Sequence, residues 1–309
     1  MATRRPSVQH RFEYLLLRGV GVAVRVLPRP VADRLATLLA VVAFDLLRIR
    51  RRVTLDNLAQ AFPEEDRRWR RKTARAAYRS LALVGMESLR AFHGDPARLL
   101  ERVDLDPASE RLYRDLMAQG HGVVFVSGHY GNWELIAART AAVGYPSAVI
   151  IQEQRNPLFD EALERIRRRL GFNSVGRGAA VRGVLRVLKD GGAAMILADQ
   201  DAGPRDALFI PFFGRPAATY QGPALFAVRS GAPLVGGWIH REGDRYRAWY
   251  ERLDEDVLDG LPADTDEETR VHRLTEAYVN WLERMIRIDP GQYLWLHRRW
   301  KSRPPGEAV

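Results

Sequence analysis

Hydrophobic and polar positions fall into two regimes along the chain. Residues 12–47 are rich in Leu, Val and Ala, but Arg18, Arg25, Arg29 and Arg34 interrupt them, and so do Pro28 and Pro30. The longest charge-free run there is Leu35–Phe44. A membrane-spanning helix needs about 20 apolar residues, so the pattern predicts two helices, 11–26 and 31–49, broken at the prolines. The arginines at 48, 50, 51 and 52 then close the second helix, where cations suit the macrodipole. Arginines punctuating the apolar stretch, with no cleavage site after it, also argue against a secretory signal. Residues 53–92 continue with apolar positions at mixed three- and four-residue spacing and predict more helix. Gly94, Pro96 and Pro107 mark a joint at 93–108.

From residue 108 the period changes. A helix at 108–119 is followed by the short apolar run Gly122–Val126, which reads as a buried strand. Then come helix Asn132–Val143, strand 147–152, helices 157–170 and 179–189, and strand 193–198. Helix 222–230, strands 232–240 and 245–252 and a long amphipathic helix at 266–288 complete the order. Strands alternating with helices predict an α/β fold with a largely parallel central sheet flanked by helices. The expected organisation is a basic, membrane-interfacial helical segment at 1–52, a helical lead-in at 53–107 and an α/β catalytic domain at 108–303.

Charge sharpens the first region. The 309-residue chain carries a net charge of +10. Residues 1–79 hold 18 Lys/Arg and 7 Asp/Glu, a balance of +11, and the remainder is nearly neutral. Such a block implies an anionic partner: nucleic acid, an anionic membrane surface or an acidic protein. No RNA-binding aromatic signature or DNA-reading motif accompanies it. An apolar helix face flanked by arginines fits an interfacial helix, with a plain core helix as the alternative. The absence of cysteine excludes disulfides, thiol nucleophiles and Cys-ligated metals. The seven histidines lack metal-ligand spacing, and the glycines at 176, 178 and 183 match no nucleotide fingerprint. No metal or cofactor is expected.

The chemistry concentrates after the first strand of the α/β region, in Ser127-Gly128-His129-Tyr130-Gly131-Asn132-Trp133-Glu134. Parallel sheets bind ligands at the carboxyl ends of their strands. The flanking glycines allow a tight turn around His129, and Glu134 falls in the first turn of the next helix. A carboxylate bonded to one ring nitrogen leaves the other as a base. The alternative is a loop histidine beside a carboxylate that complements the helix dipole. Ser127 lacks the Gly-x-Ser-x-Gly elbow of a hydrolase nucleophile. In Arg155-Asn156-Pro157, Asn156 reads as an N-cap and Pro157 as the first helical residue, which leaves Arg155 to fork onto a phosphate or an oxyanion. Asp199, in Asp199-Gln200-Asp201 at a strand end, can pair with Arg155 or approach His129, whereas Asp201 reads as a turn former.

Gly128-His129-Tyr130-Gly131-Asn132-Trp133-Glu134 resembles the His-x4-Asp/Glu box of the glycerolipid acyltransferase superfamily, and more closely that of the lauroyl/myristoyl acyltransferases of bacterial lipid A synthesis. The match continues in family order. It includes Arg52 with Asn57-Leu58 and Phe62-Pro63, Arg155-Asn156-Pro157, Ala198-Asp199-Gln200-Asp201, Phe212-Phe213-Gly214-Arg215-Pro216-Ala217 with Thr219 and Gly222, and Gln292–Lys301. The arginine-broken amino terminus departs from the cleaner hydrophobic anchor of many relatives. The resemblance implies O-acyl transfer from a thioester, on acyl carrier protein or coenzyme A, to a hydroxyl of a lipid A precursor. Another glycolipid, such as a mannosylated phosphoinositide, is the alternative acceptor. His129 is then the general base, Glu134 its orienter, and Arg155, Asp199 and Asn132 the substrate-binding candidates. The expected location is the cytoplasmic face of the inner membrane. Trp295, Trp300 and their basic neighbours are either interfacial anchors or a packed C-terminal segment.

Overall fold

The computed structural model describes residues 6–151, 155–176, 180–204, 207–304 and 306, without the side chains of 92 and 180. The expected strand end at 152, the helix start at 179 and the glycine at 178 lie outside these. Two helices, α1 (Val8–Val26) and α2 (Arg29–Val41), meet at Leu27-Pro28, as the prolines require. They lie along the long helix α4 (Arg67–His93). Small residues make the contact: Ala32, Ala36 and Ala40 of α2 and Gly21 of α1 are buried. The arginine cluster does not close α2. The helix loosens into a π segment at Val42–Leu46, the chain turns through Arg48 and Arg50 with positive φ, and Arg51 and Arg52 open α3 (Arg51–Ala61). Arg50 gains a partner in this turn, since its Nη1 donates to the Leu296 carbonyl at 3.1 Å. The continuous helix expected at 53–92 is broken at Phe62-Pro63, and Asp66 caps the second piece by accepting from the Trp69 amide at 2.6 Å.

The α/β region follows, with α5 (Ala97–Leu100), β1 (Val103–Leu105), α6 (Pro107–Ala118), β2 (Val123–Ser127), α7 (Trp133–Ala141), β3 (Ser147–Ile151), α8 (Pro157–Arg169), β4 (Asn173–Gly176), α9 (Ala180–Lys189) and β5 (Ala193–Leu197). A hairpin, β6 (Ala207–Phe212) and β7 (Arg215–Tyr220), then precedes α10 (Gly222–Ser230), β8 (Leu234–Glu242), β9 (Arg245–Arg252), α11 (Glu255–Asp259) and α12 (Glu267–Ile288). The main sheet has the order β1-β9-β8-β2-β5-β3-β4. Five neighbouring strands, β8 through β4, run parallel; β9 is antiparallel to β8 and pairs in parallel with β1. The largely parallel sheet is therefore as expected. Strands β1 and β4 and the β6–β7 hairpin are additions that the apolar pattern did not signal.

β2 and β5 lie side by side at the centre, with Ser127 opposite Leu197. Every residue of β2 is buried, as a continuous apolar run in a covered parallel sheet should be. One apolar cluster joins Phe44 of the π segment and Leu58 and Tyr78 of the helical lead-in to Val124, Ile196, Leu282 and Trp295. A second cluster lines the other face around Phe125, Ile136 and Tyr250. Each large aliphatic side chain removed from water there contributes about 1.5–3 kcal/mol.

Candidate active site

The parallel pairing of β2 with β5 brings two loops together beyond Ser127 and Leu197. His129 leaves one and Asp199 the other. His129 Nδ1 lies 2.8 Å from Asp199 Oδ1, and the His129 amide donates to Asp199 Oδ2 at 2.9 Å. Asp199 is only 3% exposed. Burial favours its neutral acid, but the His129 ring, through charge and hydrogen bond, and the His129 amide outweigh this and hold the carboxyl below its ordinary range. An ionised carboxylate only accepts, so in the neutral imidazole the proton sits on Nδ1 and the lone pair on Nε2.

Two glycines permit this approach. A Cβ on Gly128 would stand 3.3 Å from the Asp199 side chain and from Leu282. Gly131 has φ +52°, and a Cβ there would lie 2.7 Å from the Ile239 carbonyl oxygen. The C-terminal tail holds the loop from outside. Leu294 donates to the His129 carbonyl at 3.0 Å, and Gly131 donates to the Gln292 carbonyl at 3.1 Å. The Tyr293 hydroxyl donates to the Asp199 carbonyl at 3.3 Å.

Glu134 does not orient His129. It sits on α7 and faces α8, where Arg167 takes it in a bidentate grip (Nε–Oε2 3.1 Å, Nη2–Oε1 2.8 Å). Desolvation works against the buried Arg167 guanidinium, but Glu134 and Glu164 more than compensate and raise its pKa. The expected His129–Glu134 contact fails because the neighbouring strand supplies a nearer carboxylate. Asn132 is likewise turned away from the cavity. It is buried, and its Nδ2 donates to Glu87 Oε2 at 2.8 Å. Arg102 and Arg241 grip the same carboxylate at 2.9 and 2.8 Å, and the Tyr246 hydroxyl donates at 2.5 Å. Arg155 is exposed before α8 and does not line the cavity. The structural half of its motif is as expected: Asn156 caps α8 by accepting from the Leu158 amide at 3.1 Å, with Pro157 next. Asn156 Nδ2 also reaches the His10 carbonyl at 3.0 Å, tying α1 to α8.

His129 lies on the wall of a cavity of about 840 Å³. Its lining is mostly apolar: Trp133 and Ala137 of α7, Val149–Ile151 of β3, Phe159 and Leu163 of α8, Met195–Leu197 of β5, and Leu225 and Phe226 of α10. Glu134, Arg167 and Gln200 add polar groups. Trp133 stands edge-on to the His129 ring, with centroids 5.0 Å apart. Gln200 Nε2 lies 3.4 Å from His129 Nε2.

Sequence reasoning missed Gln200, Arg167 and His297 as parts of this neighbourhood. His297 Nε2 accepts from the Asp201 amide at 3.0 Å. Burial lowers the His297 pKa, and the nearby Asp199 and Asp201 only partly offset it. Trp295, Arg299 and Trp300 are 1%, 3% and 8% exposed, so the tail is packed into the protein rather than presented as an anchor. Arg299 donates to the Ala218 carbonyl at 2.5 Å and to Thr219 Oγ1 at 2.7 Å.

A carboxylate-tethered histidine on the wall of an apolar cavity at the ends of parallel strands fits group-transfer chemistry, and comparison with known proteins shows an acyltransferase. The chain belongs to the bacterial lipid A biosynthesis acyltransferase family, whose profile matches residues 1–302. It is 32% identical over 304 residues to a lipid A biosynthesis lauroyltransferase of Escherichia coli K12, covering 97% of this chain and 95% of the relative. It is 30% identical over 284 residues to the palmitoleoyltransferase of the same organism (91% and 89%), and 26% identical over 267 residues to the myristoyltransferase (83% and 77%).

Proposed function

We propose that the protein transfers a fatty acyl chain from a thioester, on acyl carrier protein or coenzyme A, to a hydroxyl of a lipid A precursor, with His129 as general base. The observation that carries this reading is the Asp199-tethered ring of His129 on the wall of the apolar cavity. A thioester is already activated, so the reaction needs a base and donors for the developing oxyanion. His129 Nε2 takes the proton as the acceptor oxygen bonds to the thioester carbonyl carbon. The tetrahedral intermediate collapses, the C–S bond breaks and the thiolate leaves. The imidazolium returns its proton to that sulfur. Asp199 fixes the tautomer and stabilises the imidazolium, as a buried carboxylate does in hydrolase triads. Gln200 Nε2 rests where the acceptor hydroxyl would enter, and when displaced it can donate to the oxyanion. The acyl chain lies against Ala137, Ile150, Leu163 and Phe226.

We further read α1 and α2 as the membrane-contacting element, placing the enzyme on the cytoplasmic face of the inner membrane where acyl thioesters occur. Among the described residues no helix is long and apolar enough to cross a bilayer. Among the described residues, all the large, exposed apolar side chains except Val181 and Ile288 lie between Val8 and Ile49. Such a concentration supports an interfacial surface.

The test is purified His129→Ala assayed with lipid A precursor and a panel of acyl thioesters, the product being read by mass spectrometry. Transfer should fall by about 10²–10⁴, the usual contribution of a positioned base. Thermal melting should stay near wild type. Undiminished turnover in the folded variant would remove His129 from the mechanism.

A further inference from the structure

A second concavity of about 430 Å³ opens where the end of α1 and the start of α2 meet α4 and α5. Six arginines line it: Arg25, Arg29, Arg90, Arg98, Arg102 and Arg169. Four carboxylates share the lining, but two are already engaged. Glu87 is held by Arg102 and Arg241, and Asp95 stands 3.9 Å from Arg169. Asp244 meets Arg102 through its backbone carbonyl, at 2.5 Å, and Asp33 is the remaining acid. Arg25, Arg29, Arg90 and Arg98 form no ion pair with a carboxylate among the described residues. Arg90 is the fixed member: its Nη2 donates to the Leu27 carbonyl at 2.6 Å, whereas its Nε is buried without a partner.

We propose that this cleft is a binding site for a lipid-borne phosphate. Convergent guanidinium groups match phosphate oxygens through bidentate hydrogen bonds. Surplus positive charge held in one concavity is unfavourable until an anion enters. Arg90 registers this, since burial and then the Arg29 charge, with a smaller share from Arg102, lower its pKa although Asp33 and Glu87 act the other way. The ligand is a lipid rather than a soluble metabolite because of what surrounds the cleft. Val26 and Val31, next to Arg25 and near Arg29 in sequence, are exposed, and they continue the apolar face of α1 and α2. A headgroup at that edge would put its phosphate among the arginines and its chains along the helices. The phosphate comes either from a bilayer phospholipid or from the acceptor itself. Only the acceptor case rests on the acyl-transfer reading above.

The experiment compares wild type with Arg29→Gln/Arg98→Gln, Arg90→Gln and Arg90→Lys, and with Arg67→Gln/Arg68→Gln as a charge-matched control outside the cleft. Binding is measured by co-sedimentation with phosphatidylcholine vesicles, with and without phosphatidic acid, and by competition with inorganic phosphate. Transfer kinetics are measured with the acceptor before and after phosphatase treatment. The cleft variants should lose about tenfold in affinity for a phosphate-bearing ligand, and the control should not. Loss confined to phosphatidic acid vesicles assigns the site to a bilayer headgroup. A raised KM with kcat unchanged, seen only with the untreated acceptor, assigns it to the acceptor. Arg90→Lys should retain part of the affinity. Equal losses in the control, or none in the cleft variants, overturn the proposal. If no variant and no wild type transfers acyl groups, the functional reading fails, but the vesicle arm still decides the site.

Discussion

At the scale of single residues, two carboxylates near His129 divide the work. Asp199 touches the ring and its amide; Glu134 touches neither and holds Arg167. Removing the charge from each should therefore give different signatures. Asp199→Asn keeps the shape but presents an amide to Nδ1, favouring the wrong tautomer, and kcat should fall by orders of magnitude. Glu134→Gln leaves the ring and its partner in place. It should cost mainly stability and the shape of the cavity wall, because a buried guanidinium loses its bidentate partner and keeps only Glu164, at 3.3 Å, as a carboxylate partner. Measuring kcat, KM and melting temperature for both variants separates the two roles; an equal loss of kcat in both would contradict the division. His297 adds a pH dependence. Its folded pKa lies below the ordinary 6.5, so it contributes stability that is complete above that value and is lost as pH falls through the folded pKa. Protonation would also abolish the acceptor that the Asp201 amide uses. Melting temperature should thus decline below about pH 6.5, and His297→Gln, which keeps an acceptor oxygen, should flatten that part of the profile.

At the scale of elements, the His129 site depends on which strands are neighbours. The sequence shows that a turn with His129 follows one buried strand and that Asp199 follows another. It does not show that β2 and β5 are adjacent, since strand order is set by how the crossover helices pack. For that reason Glu134, close along the chain, reads as the partner of His129, while the sequence leaves Asp199 to pair with either Arg155 or His129. Periodicity carried the helices and the long strands. The β6–β7 hairpin escaped it because Pro211, Gly214 and Pro216 read as loop chemistry. Strand β1 has only three residues, too few for a period to register. The C-terminal tail is the clearest case of long-range dependence. Asn57 of α3 donates to the Trp295 carbonyl at 2.8 Å and to the His297 carbonyl at 2.6 Å, tying the helical lead-in to the strap over the His129 loop. Asn57→Ala leaves both carbonyls without this donor in a buried place, at a cost of about 2 kcal/mol. Denaturant unfolding should show that loss. Activity should fall more than the unfolded fraction explains, since the strap also fixes His129 and Gly131.

At the scale of the whole molecule, polarity is divided between two surfaces. The α/β region covers its sheet on both faces, whereas α1 and α2 use small residues to sit on α4 and turn their large apolar side chains outward. Phe12, Leu16 and Leu39 are 68%, 60% and 46% exposed, so replacing them removes little from the folded core. In a lipid interface the same side chains would contribute about 1.5–3 kcal/mol each on full burial. The basic groups of the first 79 residues add an electrostatic attraction of about 1 kcal/mol per well-placed cation, but salt screens it. The two contributions can be separated. In wild-type cells the protein should remain with the membrane fraction after a high-salt wash, because insertion of apolar side chains is not screened. Phe12→Glu/Leu16→Glu/Leu39→Glu should leave only the electrostatic attraction, weakened by three added acids, and a salt wash should release the protein. Its melting temperature should match wild type and its solubility should rise, because exposed apolar surface is replaced by charge. Retention of the folded triple variant in salt-washed membranes would show that these helices do not make the attachment, and would shift it to a surface elsewhere on the molecule.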